Sequence, residues 1–94
     1  MTLEQVRADI SRIDTEIIRL IAARQALAEQ VASIKAETGL PTHDADRTAA
    51  VLRSVSGQAE DYQMDPAPVR KIFETLIAMS EDRQRELRDK REPR

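Results

Sequence analysis

The chain has no cysteine and no tryptophan, one histidine, two glycines and only two aromatic residues, Tyr62 and Phe73, in 94 residues. Each scarcity excludes something. Without cysteine there is neither a disulfide framework nor a thiolate metal site, and the redox compartment leaves no mark. His43 stands alone, so a multi-histidine metal centre is ruled out. Two glycines cannot furnish a glycine-rich phosphate loop. No apolar run approaches the roughly 20 residues of a membrane span. An excess of one charge is also lacking: 15 basic residues face 17 acidic ones, for a net charge of −2. That balance weighs against nucleic acid as a partner, yet leaves room for a local basic cluster that holds a small anion. The N-terminus has neither the basic start nor the apolar block of a signal peptide, so a cytoplasmic location is expected.

What is present points to helices. The apolar residues are mainly Leu, Ile, Val and Ala, which pack helices without aromatic bulk. Thr2 followed by Gln5 has the form of a capping box. From there Leu3, Val6, Ile10, Ile13, Ile17, Leu20, Arg24, Leu27, Val31 and Ile34 recur at steps of three and four until Gly39, with Pro41 beyond. The spacing predicts one helix over residues 3–37, roughly 50 Å long at about 1.5 Å per residue. A compact domain of this size has a radius of gyration of only about 12 Å, so one chain cannot cover both ends. A second copy lying alongside buries the stripe at least cost, giving a symmetric dimer; the alternative is a monomer with a solvated, coiled-coil-like arm.

Asp44 or Asp46 caps a second helix with Val51, Leu52, Val55 and Ala59 inward, ending near Asp61. Asp65-Pro66 then opens a third helix, with Val69, Ile72, Phe73, Leu76 and Ile77 inward, expected to run to about Leu87. The fold expected is all-α, with a long, a short and a medium helix in an intertwined dimeric bundle. Residues 1–87 form its single domain and 88–94 a charged, disordered tail.

The informative residues break the apolar pattern. Arg24 stands where the spacing asks for Leu or Ile. A guanidinium does not lose its proton, so a buried one needs an anion. That anion is a ligand or a glutamate across the dimer, unless the side chain snorkels to water. Ser80 and Gln84 continue the inner face of the third helix before Leu87 restores it. They line a polar cavity or mark an exposed helix end. Lys35 follows Arg24 by eleven residues, three turns, so the two point roughly the same way. Arg7 precedes Arg24 by seventeen residues, about 25 Å of helix. Only an antiparallel partner helix delivers it to the same ligand. Asp44, Asp46 and Arg47 are explained by capping and surface pairing at a helix start. Ser80 has no histidine or lysine beside it in sequence and is not a nucleophile. A site built from these residues works by charge and shape, with no metal and no cofactor.

Five stretches carry a family resemblance. They are Val-Arg-Ala-Asp-Ile-Ser-Arg-Ile-Asp around Arg7, Ala-Ala-Arg-Gln-Ala-Leu-Ala around Arg24, and Val-Ala-Ser-Ile-Lys at Lys35. Gly-Leu-Pro-Thr-His-Asp-Ala-Asp-Arg ends at Arg47, and Ile-Phe-Glu-Thr-Leu-Ile-Ala-Met-Ser-Glu-Asp-Arg-Gln ends at Gln84. From about Leu3 to Leu87 the chain resembles the small all-helical chorismate mutases of the AroQ class. The resemblance implies two interlocked chains with two shared active sites, and rearrangement of chorismate to prephenate in aromatic amino acid biosynthesis. It implies that Arg24 and Arg7 of the partner chain bind the two substrate carboxylates, supported by Arg47 and Ser80. Lys35 and Gln84 would donate to the ether oxygen, and Asp44 would lie near ring carbon 4.

One position departs from the family. Many members carry glutamate directly after the arginine matching Arg47, where it accepts from the substrate's 4-hydroxyl, and here the residue is Thr48. That leaves 4-amino-4-deoxychorismate, a substrate of specialised metabolism, as an alternative to chorismate. An isochorismate pyruvate lyase shares the fold, and a non-catalytic dimeric regulatory module is the non-enzyme alternative.

Overall fold

A computed structural model describes residues 1–91. It contains three helices, α1 (Leu3–Thr38), α2 (Ala45–Asp61) and α3 (Pro66–Arg91), and no strand among the described residues. The start of α1 is the capping box read from sequence: the Thr2 hydroxyl accepts from the Gln5 N–H and the Thr2 N–H donates to Gln5 Oε1. Its end is Gly39 in the left-handed conformation (φ 71°), whose N–H returns to the Lys35 carbonyl. Of the two candidate caps for α2, Asp44 does the work, its carboxylate accepting from the Arg47 N–H at 3.0 Å. Asp65 accepts from the Ala67 N–H at 3.0 Å as α3 begins.

Contacts between α1 and α3 climb both helices together: Gln25 meets Met79, Glu29 meets Arg83, and Ser33 meets Arg91. The two therefore run parallel. The pairs His43–Glu81 and Ser56–Arg70 climb one segment while descending the other, so α2 lies antiparallel on α3. Arg83 clamps α1 to α3, and Glu86 and Glu29 together hold its guanidinium above its ordinary pKa.

The expected end of α3 at Leu87 is too early. The helix continues to Arg91, which donates to Ser33 of α1 at 2.8 Å. Arg88, Lys90 and Arg91 sit in its last turn, where cations oppose the negative end of the helix dipole. The tail expected over 88–94 is thus helical through 91, and its remaining three residues lie outside those described. Ile72, expected inward, is 58 % exposed. It lies about 100° around the helix from Phe73, at the margin of the face that meets α1 and α2.

Burial is sparse. Among the described residues the fully buried apolar ones are Ala28, Ala32, Val55 and Ala59. On α1 the face that meets α3 is this alanine face, offset from the large aliphatic stripe. The stripe stays bare, with Ile10 at 51 %, Ile13 at 59 % and Ile17 at 49 % exposure. Among the described residues no hydrogen bond or ion pair ties residues 3–23 to another element. The molecule is accordingly elongated, 59 × 25 × 16 Å, with a radius of gyration of 16.9 Å against about 12 Å for a compact domain. No helix is long and apolar enough to cross a membrane among the described residues.

Candidate active site

The second half of α1, the start of α2 and the middle of α3 enclose a cavity of about 320 Å³, within the range that takes a small metabolite. Seven of the eight residues singled out from sequence line it: Arg24, Lys35, Asp44, Arg47, Thr48, Ser80 and Gln84. Arg7 does not. It is exposed on the first half of α1, seventeen residues and so about 25 Å of helix away from Arg24.

The polar wall is a connected chain. Lys35 Nζ donates to the Thr42 carbonyl at 2.6 Å and to Gln84 Oε1 at 3.0 Å. Gln84 Nε2 donates in turn to Ser80 Oγ at 3.0 Å. Gln84 is the one buried polar residue among those described, with 6 % exposure. Its amide is satisfied at both ends, as burial demands, and each end leaves capacity over. One ammonium N–H of Lys35 and one amide N–H of Gln84 stay uncommitted, since these groups carry three and two donors. The position of Lys35 is set by the loop that follows its own helix: the turn at Gly39 brings Thr42 back beside it.

Arg24 sits half-buried and donates to the Leu76 carbonyl at 3.0 Å. That bond points the guanidinium at α3 and leaves most of its five donors free. Among the described residues no side-chain partner engages the Arg47 guanidinium, whose backbone is fixed by the Asp44 cap. Leu27, Val31, Val51 and Ile77 supply an aliphatic floor. A second hollow of about 370 Å³ lies beyond Lys35, Thr42 and Gln84 and reaches Arg88 and Arg91.

Two wall groups escaped the sequence reading. The Thr42 carbonyl is a backbone acceptor that no side-chain pattern reveals. Glu81 lines the cavity with its side chain 18 % exposed, and its Oε1 meets His43 Nδ1 at 2.8 Å. In sequence it follows Ser80 in a Ser-Glu-Asp-Arg run, where nothing distinguishes it from the exposed Asp82.

Three cations thus converge on one concave, aliphatic-floored space, beside two hydrogen-bond donors held in place by their neighbours. Such a site binds a small, compact dianion and stabilises charge that develops at a fixed point. The family model for chorismate mutase type II matches residues 6–85, and the chain belongs to that family. It is 35 % identical over 75 residues to the chorismate mutase of Methanocaldococcus jannaschii, covering 80 % of this chain and 76 % of that protein. It is 36 % identical over 53 residues to the bifunctional chorismate mutase/prephenate dehydratase of Aquifex aeolicus, covering 56 % of this chain and 15 % of that one. A solved structure of a conserved hypothetical protein from Pyrococcus furiosus superposes with a TM-score of 0.71 at 34 % identity, covering 89 % of this chain and 96 % of that chain.

Proposed function

We propose that the protein is a chorismate mutase, an isomerase that converts chorismate to prephenate within the cavity between α1, α2 and α3. The observation that carries this reading is the Thr42–Lys35–Gln84–Ser80 chain facing Arg24 and Arg47 across one space. The reaction is a [3,3] sigmatropic shift: one C–O bond breaks as one C–C bond forms, and no proton or electron leaves the molecule. It therefore calls for no nucleophile, metal or cofactor. It calls for a folded substrate conformer and for donors at the ether oxygen.

Arginine forks hold carboxylates bidentately, so Arg24, supported by Arg47, fixes the substrate ends and brings the reacting carbons together. In this reading the free N–H groups of Lys35 and Gln84 donate to the ether oxygen as it gains negative charge. Those interactions are stronger in the transition state than in the ground state, and so they accelerate the reaction. Ser80 anchors the Gln84 amide, and Asp44 and Thr48 form the wall at the α2 end. The names of the relatives favour chorismate over the 4-amino analogue and over isochorismate cleavage.

The working unit in this reading is a homodimer. The uncovered stripe from Ile10 to Ile34 pairs with its copy, antiparallel, and places Arg7 of each chain at the other chain's cavity. The test is direct: purified protein added to chorismate lowers the absorbance of its conjugated diene, and prephenate accumulates. A protein that leaves chorismate unchanged at micromolar enzyme rejects the proposal.

A further inference from the structure

Taking the cavity as a mutase site, we infer that Glu81, held by His43, is the group that recognises the ring hydroxyl of the substrate. Chorismate offers two carboxylates and an ether to the cationic side of the cavity, and one hydrogen-bond donor, the hydroxyl at ring carbon 4. A donor buried without an acceptor is costly, so the cavity needs an acceptor for it. Ser80 and the Thr42 carbonyl already accept from Gln84 and Lys35, which leaves Asp44, Thr48 and Glu81 as the wall residues to weigh. Asp44 already spends a carboxylate oxygen on the Arg47 N–H as the cap of α2. Thr48 is uncharged, and its hydroxyl is a weaker acceptor than a carboxylate.

Glu81 also commits one oxygen, but unlike the exposed Asp44 it is withdrawn from solvent. It lies on the cavity wall with its side chain mostly withdrawn from solvent. His43 Nδ1 meets its Oε1 at 2.8 Å and so fixes the carboxylate, while Oε2 has only Arg85 at 3.9 Å. An oriented carboxylate with an uncommitted oxygen suits a hydroxyl donor. The charges agree as well. Arg24, Lys35 and Arg47 share the cavity wall with Asp44 and Glu81. The substrate dianion and one further cation from a partner chain would then bring the filled site to neutrality.

Where α2 presents the uncharged Thr48 to the cavity, α3 presents a carboxylate, one residue beyond Ser80. Glu81 is therefore a specificity-determining residue.

The test compares chorismate with its 4-deoxy analogue, which lacks only the hydroxyl, in the wild type and in Glu81→Ala, Glu81→Gln and His43→Ala. The wild type prefers chorismate in kcat/KM. In Glu81→Ala the loss on chorismate exceeds the loss on the analogue by about tenfold, the worth of one charge-assisted hydrogen bond. Glu81→Gln, which keeps a neutral acceptor of the same shape, falls between. His43→Ala shifts the preference in the same direction by a smaller factor, because it frees the carboxylate to turn. Equal losses on both compounds in Glu81→Ala and Glu81→Gln mark a structural role only and overturn the inference, as does an unchanged preference. A wild type that converts neither compound overturns the mutase reading itself, an outcome that the variants cannot mimic.

Discussion

Lys35 is held from two sides, by the carbonyl of Thr42 and by Gln84, and this makes its third N–H a donor of fixed direction. Fixed donors cost no reorganisation as charge develops, and removing one from such a site typically slows turnover by about two to three orders of magnitude. Lys35→Ala is expected to lose that much in kcat while its helical circular dichroism stays as in the wild type. Near-normal turnover in that variant would sink the assignment. Arg24 tests geometry instead of charge. Arg24→Lys keeps the positive charge and loses the planar fork, so its kcat/KM on chorismate should fall by roughly tenfold to a hundredfold. Arg24 was legible in sequence because it interrupts an apolar stripe of strict period, and Lys35 because it lies three turns further along the same helix. Glu81 was not. A carboxylate that follows a half-buried serine on a charged helix looks like a solvated one, and the loop that carries His43 across to it ties it to the cavity.

The helices were nearly all readable because their signals are local: a capping box at Thr2, a glycine at position 39, an aspartate before each of the next two helices. The end of α3 was misjudged for the converse reason. A charged run ahead of a proline reads as a frayed terminus, whereas what keeps it helical is Ser33 of a distant element. The same split between local and tertiary causes decides what Asp44 does. Its carboxylate caps α2, and the capped turn carries Arg47 and Thr48 into the cavity. Asp44→Ala should therefore lower the unfolding free energy by about 1 kcal/mol, the usual worth of an N-cap. It should also raise the KM for chorismate, since Arg47 is no longer pinned. Asn, which caps as well as Asp, should restore stability and most of the KM. A variant that loses stability with KM unchanged would show that the cap and the site are independent.

At the scale of the whole molecule the governing fact is an excess of uncovered aliphatic surface along one edge. Leu3 to Leu20 carry an apolar residue at nearly every inward turn, yet α3 reaches only the second half of α1, and the large side chains stay exposed. Length and period made that imbalance visible before any coordinates, because a helix of roughly 50 Å outruns what 58 further residues can cover. Which residues meet which was not visible, since α1 gives α3 its small alanines and keeps its isoleucines free. A surface of that kind is self-complementary when two copies run antiparallel, and in the proposed dimer that arrangement would carry Arg7 to the cavity of the other chain. The consequence is measurable by mixing. Arg7→Ala and Lys35→Ala homodimers are each expected to be nearly inactive, for different reasons. When equal amounts of the two are unfolded and refolded together, half of the dimers pair one chain of each kind. In those, one site has Lys35 from the first chain and Arg7 from the second, while the other has neither. Roughly a quarter of wild-type activity should return, as the statistics of a two-fold symmetric dimer require. No recovery, with mixed dimers demonstrably formed, would mean that Arg7 acts within its own chain or not at all.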